Sequence, residues 1–366
     1  MNTSEEKIKE LMIDFTQPIP VLENAFNQII TNSENFIIIK EDEFEPYEVL
    51  YLFKHILGME VDFKPFEKIA FILYFLYKDI EMAFVLQKFS FNLYMKKIIN
   101  YESIYSELRT KICEAIKLSH ELFKEEAKNS INESNIMFPN YYLRFKRAFE
   151  CLEEQIEYNL TNKNDWPKCD HRADCFINSY AIYLVSYIEH ITILLYPFSD
   201  FYDRHNDIRK FVVNMKIIKK IENIFPNILS ENTQIKDKIN KLMNYIRNPI
   251  AHGFLTKNYF GDVLISDIRY VPMSYSNYKL SIQNYLYIPF NLEYQYAEIK
   301  EIKDIFDSIT EQYYPNGIEI IKSGLDIYCD TKSRNEYLLI TKDREKTEEF
   351  IKRKSEEVDH LINMDW

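Results

Sequence analysis

Five glycines in 366 residues, Gly58, Gly253, Gly261, Gly317 and Gly324, narrow what this chain can fold into. A dinucleotide fingerprint and a phosphate-cradling P-loop both need clustered glycines, because only a residue without a Cβ lets backbone close on a phosphate. No such cluster can be assembled here, so Rossmann oxidoreductases and P-loop ATPases find no support. The length allows a sizeable core divided among two or three domains. Hydrophobic content of 46% and charged content of 28% fit a folded globular protein.

The longest apolar run, residues 181–198, carries Glu189 and His190 at its centre. Charge at mid-span is costly in hydrocarbon, so the run reads as a buried helix and not as a membrane span. A net charge of −12 argues against a nonspecific nucleic-acid coat, yet leaves room for an RNA site with a local positive field. The five cysteines are odd in number and irregularly spaced, and the first ten residues are rich in Glu and Lys. The expected setting is a reducing cytoplasm with free thiols.

The periodicity predicts a mainly α protein. Residues 4–31 read as an amphipathic helix interrupted near Pro18 and Pro20, and 36–40 as a strand or a packed turn. Pro46 to about Leu57 is expected to be helical. Residues 66–77 are apolar almost all round, which predicts a central core helix, and helical periodicity continues through 80–98 and 102–127. The first region is thus expected to be an all-helical bundle. A polar loop follows at 129–135, then a helix over 141–160 and a break at 161–167. The next helix starts at Asp170 or Asp174 and ends at Pro197. Helices at about 205–224 and 232–247 come next. Residues 262–271 and 279–289 alternate as two strands of a hairpin, ahead of a helix over 297–313 and a charged helix over 344–362. The expected domains are 1–162, 168–260 and 261–366.

One string carries chemistry: Arg247-Asn-Pro-Ile-Ala-His-Gly253. Arginine is a fixed cation suited to phosphate oxygens, and histidine titrates near neutral pH. Together they could hold a phosphodiester and move protons on it without a metal. Pro249 removes a backbone donor and predicts a kink, Asn248 can cap the next turn, and Gly253 permits close backbone approach. An unbroken helix would separate positions five apart by about 140°. A kink could bring Arg247 and His252 into one cleft.

Set after a long helix with a central glutamate, this string resembles the HEPN domain over about residues 168–260. That family's motif is Arg, usually followed by Asn, Asp or His, with a His four to six residues after the Arg. The resemblance implies a HEPN-like helical bundle with a β-hairpin and helical extension packed on it. It also implies a metal-independent endoribonuclease of bacterial antiphage-defence or toxin type, active at a homodimer interface and needing no cofactor. Arg247 would neutralise the scissile phosphate and His252 would act as acid or base while the ribose 2′-OH attacks. Asn248 would orient the pair, and Glu189 would support it. RNA is the implied substrate, and an inhibitor, antitoxin or phage-derived trigger the implied regulator, with residues 1–162 as the sensor. Toxins of this class that are silenced by nucleotidyl transfer carry a tyrosine two residues past the histidine, where this chain has Phe254.

Each signal has a plainer alternative. Arg247 can make a structural ion pair and His252 can pack in a core, leaving a non-catalytic module that dimerises and binds RNA, a nucleotide or a protein. The lysines at 219, 220, 238 and 241 form either an RNA path or a solvated face. Glu189 inside an apolar helix needs a partner, which Arg247 could supply. His190 reads as structural. Arg353 and His360 repeat the spacing on a charged helix without the flanking Asn and Gly. Cys169, His171 and Cys175 offer three zinc ligands without a fourth, so no metal is expected.

Overall fold

The computed structural model describes residues 3–17, 35–63, 69–87, 90–162, 168–202, 208–225, 233–243, 261–265, 269–276, 279–282 and 292–363. Two compact units emerge, one of residues 1–130 with 354–366, the other of residues 131–353. The division falls at 130/131, upstream of the expected break at 161–167. Most of the described chain is helical, and among the described residues no helix is long and apolar enough to cross a membrane.

The first unit corrects the expectation of an all-helical bundle. Helix α1 (Ser4–Leu11) starts in a capping box in which Thr3 and Glu6 each accept from the other's backbone N–H. It stops well before Pro18 and is followed by strand β1 (Phe15–Thr16) and, after β2 (Phe36–Lys40), by helix α2 (Pro46–Tyr51). A wide π-helical turn, Leu52–Ile56, extends α2, so the expected helix from Pro46 is present. The run 66–77 is a strand, β3 (Ile69–Tyr77), and the stretch 80–98 folds into β4 (Ile80–Gln87) and β5 (Ser90–Lys96). All pairings are antiparallel, in the order β1-β3-β4-β5-β2.

Burial of both sheet faces explains the misreading. Phe71, Leu73, Phe75 and Tyr77 of β3 point to one face and pack with Phe84, Leu93, Phe53 and Ile112. Ile72 and Tyr74 point to the other, beside Ala83, Val85 and Tyr94. A strand buried on both sides shows no alternation, and its apolar run passes equally for a core helix. Helix α3 (Tyr101–Asn132) lays Leu108, Ile112 and Ala115 against the first face. It runs through the start of the expected polar loop.

The second unit is built on α4 (Tyr142–Thr161) and α5 (Lys168–Leu194). Strand β6 (Met137–Phe138) precedes them. Helix α5 ends just before Pro197, as the proline requires, in a short 3₁₀ turn, Tyr196–Phe198. A π-helical turn, Lys210–Asn214, leads to α6 (Ile217–Ile224), and α7 (Thr233–Lys241) follows. The expected hairpin is a three-stranded antiparallel meander, β7 (Gly261–Ile265), β8 (Arg269–Ser276) and β9 (Lys279–Ile282). Pro272 lies within β8, opposite Asp262, and not in a connecting loop. Helices α8 (Leu292–Tyr313) and α9 (Pro315–Lys322), strand β10 (Ile327–Tyr328), and helices α10 (Thr331–Ile340) and α11 (Arg344–Asn363) complete the chain.

Helix α5 supplies the largest share of this unit's core: Tyr180, Ala181, Leu184, Ile188, Ile191 and Leu194 pack with Phe149 and Ile156 of α4 and Phe306 of α8. Gly324, in the turn after α9, takes a φ of +84°, and a Cβ there would lie 2.8 Å from Leu143 Cδ1. Only glycine meets both demands.

Candidate functional site

Arg247, Asn248 and His252 lie outside the described residues, as does Phe254. The approach to them is described in part: α7 ends at Lys241, six positions before Arg247. Helix α6 packs against both α5, which carries Glu189, and α7. Glu189 and α7 are therefore linked through one short helix.

That helix reads Ile217-Ile-Lys-Lys-Ile-Glu-Asn-Ile224, and it buries Ile217, Lys220, Ile221 and Ile224. These are positions i, i+3, i+4 and i+7 of one face. Lys220 is thus a lysine in an apolar stripe, 1% exposed. Its Nζ donates to Glu189 Oε1 and, at 2.5 Å, to the Val212 carbonyl in the π-helical turn. Removing an ammonium from water costs several kcal/mol unless hydrogen bonds and an opposite charge offset it, and both are present. Glu189, by contrast, keeps 41% of its side chain exposed. The expected RNA contact at Lys220 is therefore corrected: the side chain faces the interior. Glu189 has found its cation one helix away. The signal for this was legible in the sequence, since a charge at an i+3 position of an isoleucine stripe must find a partner inside.

The neighbouring lysines are engaged as well. Lys219 pairs with Glu222 at 3.2 Å and Lys236 with the same carboxylate at 3.1 Å. Those two cations, through hydrogen bonds first, hold Glu222 below the usual carboxylate range. Lys238 reaches Glu301 on α8 at 2.5 Å. Lys210, Lys216 and Lys241 are exposed and outside these pairs. Of the four lysines expected on an RNA path, Lys241 alone combines exposure with freedom from these pairs among the described residues.

His190 takes a structural post. Its Nε2 accepts the Tyr141 N–H at 3.0 Å, at the start of α4, and its ring stacks on Tyr141 at 5.6 Å. Burial depresses its pKa to about 4, so the ring is neutral and carries its proton on Nδ1. Tyrosine–carboxylate pairs fasten the same helices. Tyr180 donates to Glu153 Oε1 at 2.9 Å, and Tyr187 to Asp307 Oδ1 at 2.7 Å, while Lys303 donates to the other oxygen, Asp307 Oδ2, at 2.8 Å. Burial first, then the adjacent carboxylate, drives both hydroxyls far above the ordinary tyrosine range, which keeps them donors at any working pH.

Of the zinc alternative, His171 and Cys175 sit exposed near the start of α5. Among the described residues no group of three or more His, Cys, Asp or Glu side chains gathers around a common point. Arg353, of the second Arg–His spacing, binds Glu336 at 2.7 Å on the surface. No protein-family model, curated protein or solved structure matches the chain.

Proposed function

We propose that this chain is a metal-independent endoribonuclease of the bacterial antiphage-defence or toxin type, working as a cytoplasmic homodimer on RNA. The observation that carries the reading is the Arg247-Asn-Pro-Ile-Ala-His-Gly253 string, reached through α7 and following the Glu189 helix in a helical unit. His252 takes the proton of the ribose 2′-OH as that oxygen attacks the neighbouring phosphorus. Arg247 stabilises the charge that builds on the phosphate oxygens, and Asn248 orients the pair. The bond to the 5′-oxygen breaks, a proton passes to that leaving oxygen, and the products carry a 2′,3′-cyclic phosphate and a 5′-OH. The sheet-bearing first unit serves as sensor or regulator, and an inhibitor, antitoxin or phage-derived trigger would act through it.

Incubating purified protein with RNA in EDTA tests this directly. Wild type should cleave, and His252→Ala should lose about 10²–10⁴-fold in rate, the usual worth of a general acid or base. Equal cleavage by the two proteins would overturn the reading.

A second reading is favoured by the lysine pairs. With Lys219, Lys220, Lys236 and Lys238 bound to acids within the fold and a net charge of −12, the unit suits a non-catalytic HEPN-type module that dimerises and binds RNA, a nucleotide or a protein partner. Overexpression separates them. A nuclease arrests growth in a manner that Arg247→Ala abolishes, whereas a binding module leaves growth unchanged in both forms.

A further inference from the structure

A row of aromatic rings along the seam of α4 and α5 reaches the surface at both ends. Tyr141 stacks on His190 at 5.6 Å, His190 meets Phe145 at 5.5 Å, and Phe145 meets Tyr183 edge-on at 6.3 Å. Tyr141 is 48% exposed and Tyr183 44%, so each end of the row offers a ring to solvent. An exposed ring by itself is ordinary, but these two belong to one patterned surface. On α5 the outward stripe reads Arg172, Phe176, Ser179, Tyr183, Ser186 and His190, recurring every three or four residues. The stripe contains no acid: Asp174 and Glu189 lie about 120–180° round the helix from Tyr183.

The facing end of α4 is basic. Residues 141–149 carry Arg144, Lys146 and Arg147 and no Asp or Glu, and Glu150, Glu154 and Glu157 lie about 160–220° round from Tyr141. Arg144 sits one turn from Tyr141. Arg144, Lys146, Arg147 and Arg172 are all exposed, and none joins an ion pair among the described residues. They differ in this from Lys219, Lys220, Lys236 and Lys238, whose charges are spent within the fold.

We propose that the α4–α5 seam binds single-stranded RNA, with bases stacking on Tyr141 and Tyr183 and phosphates meeting Arg144 and Arg172. This rests on the RNA reading of the chain, but not on where the Arg247–His252 string lies. Unpaired bases present π-faces that exposed rings can cover, and free cations alongside neutralise the backbone between them. From Arg172 to His190 the stripe runs about 27 Å, enough for several nucleotides. Its hydroxyl and guanidinium groups suit a phosphate chain better than the apolar face of a partner helix.

The test is fluorescence anisotropy with a labelled 2′-O-methyl oligouridine of about 12 nucleotides, which lacks the attacking hydroxyl and so reports binding without cleavage. Tyr183→Ala should weaken binding about 10-fold. The double variant Arg144→Gln, Arg172→Gln should bind more weakly and lower the salt slope by about 1.4, at about 0.7 per phosphate contact. Lys346→Gln, an exposed cation on α11, should match wild type. Wild-type binding by the seam variants, or a slope lowered as much by Lys346→Gln, would overturn the proposal. No binding by wild type at about 50 mM salt would overturn it too and leave the seam to a protein partner. The two arginine substitutions lie on the surface, so their result stands even where Tyr183→Ala disturbs the fold. A wild type that cleaves RNA while the seam variants bind it normally leaves the ribonuclease reading standing without this site. Binding through the seam with no cleavage supports the site and removes the ribonuclease reading.

Discussion

The first unit buries phenylalanine against phenylalanine, whereas the second threads hydroxyls and ammonium groups to carboxylates between its helices. In the sheet core Phe84 stacks on Phe75 at 5.5 Å and on Phe91 at 5.2 Å, and meets Phe53 edge-on at 6.0 Å. Its ion pairs sit at the rim, where Lys78 grips Glu107 and Lys111 grips Asp14. In the helical unit Tyr180, Tyr187 and Lys220 carry polar atoms deep into the seams. Apolar packing without direction tolerates repacking, while buried hydrogen bonds specify one geometry and fail sharply when a partner is lost. The helical unit has more of these directed contacts, while the first unit has a counterpart in Tyr105, which donates to the buried Glu41 at 2.6 Å.

Three measurements bear on that contrast, in descending order of effect. Phe84→Ala empties the centre of the aromatic stack and should cost about 3–5 kcal/mol, read as a fall in the urea midpoint of the sheet transition. A loss below about 1 kcal/mol would mean the sheet core collapses around the gap and is softer than its ring geometry suggests. In the helical unit, burial holds the folded His190 near 4 against an ordinary 6.5. Unfolding then takes up a proton between those values. The contribution of the neutral ring is complete above pH 6.5 and drains away as pH falls toward 4, by up to about 3 kcal/mol. Melting curves of wild type and His190→Gln between pH 7 and 4 check it, and parallel curves would sink the claim. The smallest effect lies in the two-residue turn from Tyr77 to Ile80, where Lys78 and Asp79 adopt φ of 48° and 65°. Both angles belong to the left-handed region that glycine occupies without strain. Asp79→Gly should stabilise the sheet unit by about 0.5–1 kcal/mol, the strain relieved less the flexibility added. A destabilised variant would show that the Asp79 side chain contributes more than its backbone strain costs.

The same contrast explains what the sequence disclosed. Helices with one wet face, such as α3, α4 and α8, were legible because their apolar positions recur every three or four residues. The sheet was not, since strands dry on both faces lose the alternation that marks them. A usable clue was present: two runs rich in Ile, Phe, Tyr and Leu separated by only Lys78-Asp79, too short a link for two packed helices and the right length for a hairpin. At the site, Glu189 was legible as a buried-helix carboxylate in need of a cation. Lys220, next to Lys219, belongs to a run of basic residues that suits a surface cation, although its phase within the isoleucine stripe places it inside. The Arg247–His252 string stands apart from the Arg353–His360 spacing only by its flanking Asn248 and Gly253, and its geometry lies outside the described residues.

The small ladder between β6 and β10 sets a timetable for synthesis. It aligns Phe138 with Ile327, and beside it Asn140 N–H donates to Asp326 Oδ1 across 186 positions of chain. The Asn140 side chain also donates to the Ile321 and Leu325 carbonyls at 2.7 and 2.9 Å. Helices α4 and α5 can pair as soon as both leave the ribosome, yet this clasp waits for the far strand. At about 5–20 residues per second that wait is roughly 10–40 s. Throughout it, the groups at the start of α4 that the clasp satisfies stay open to water and to chaperones. A nascent helical unit is thus committed to its final form late, after nearly all of its sequence has emerged.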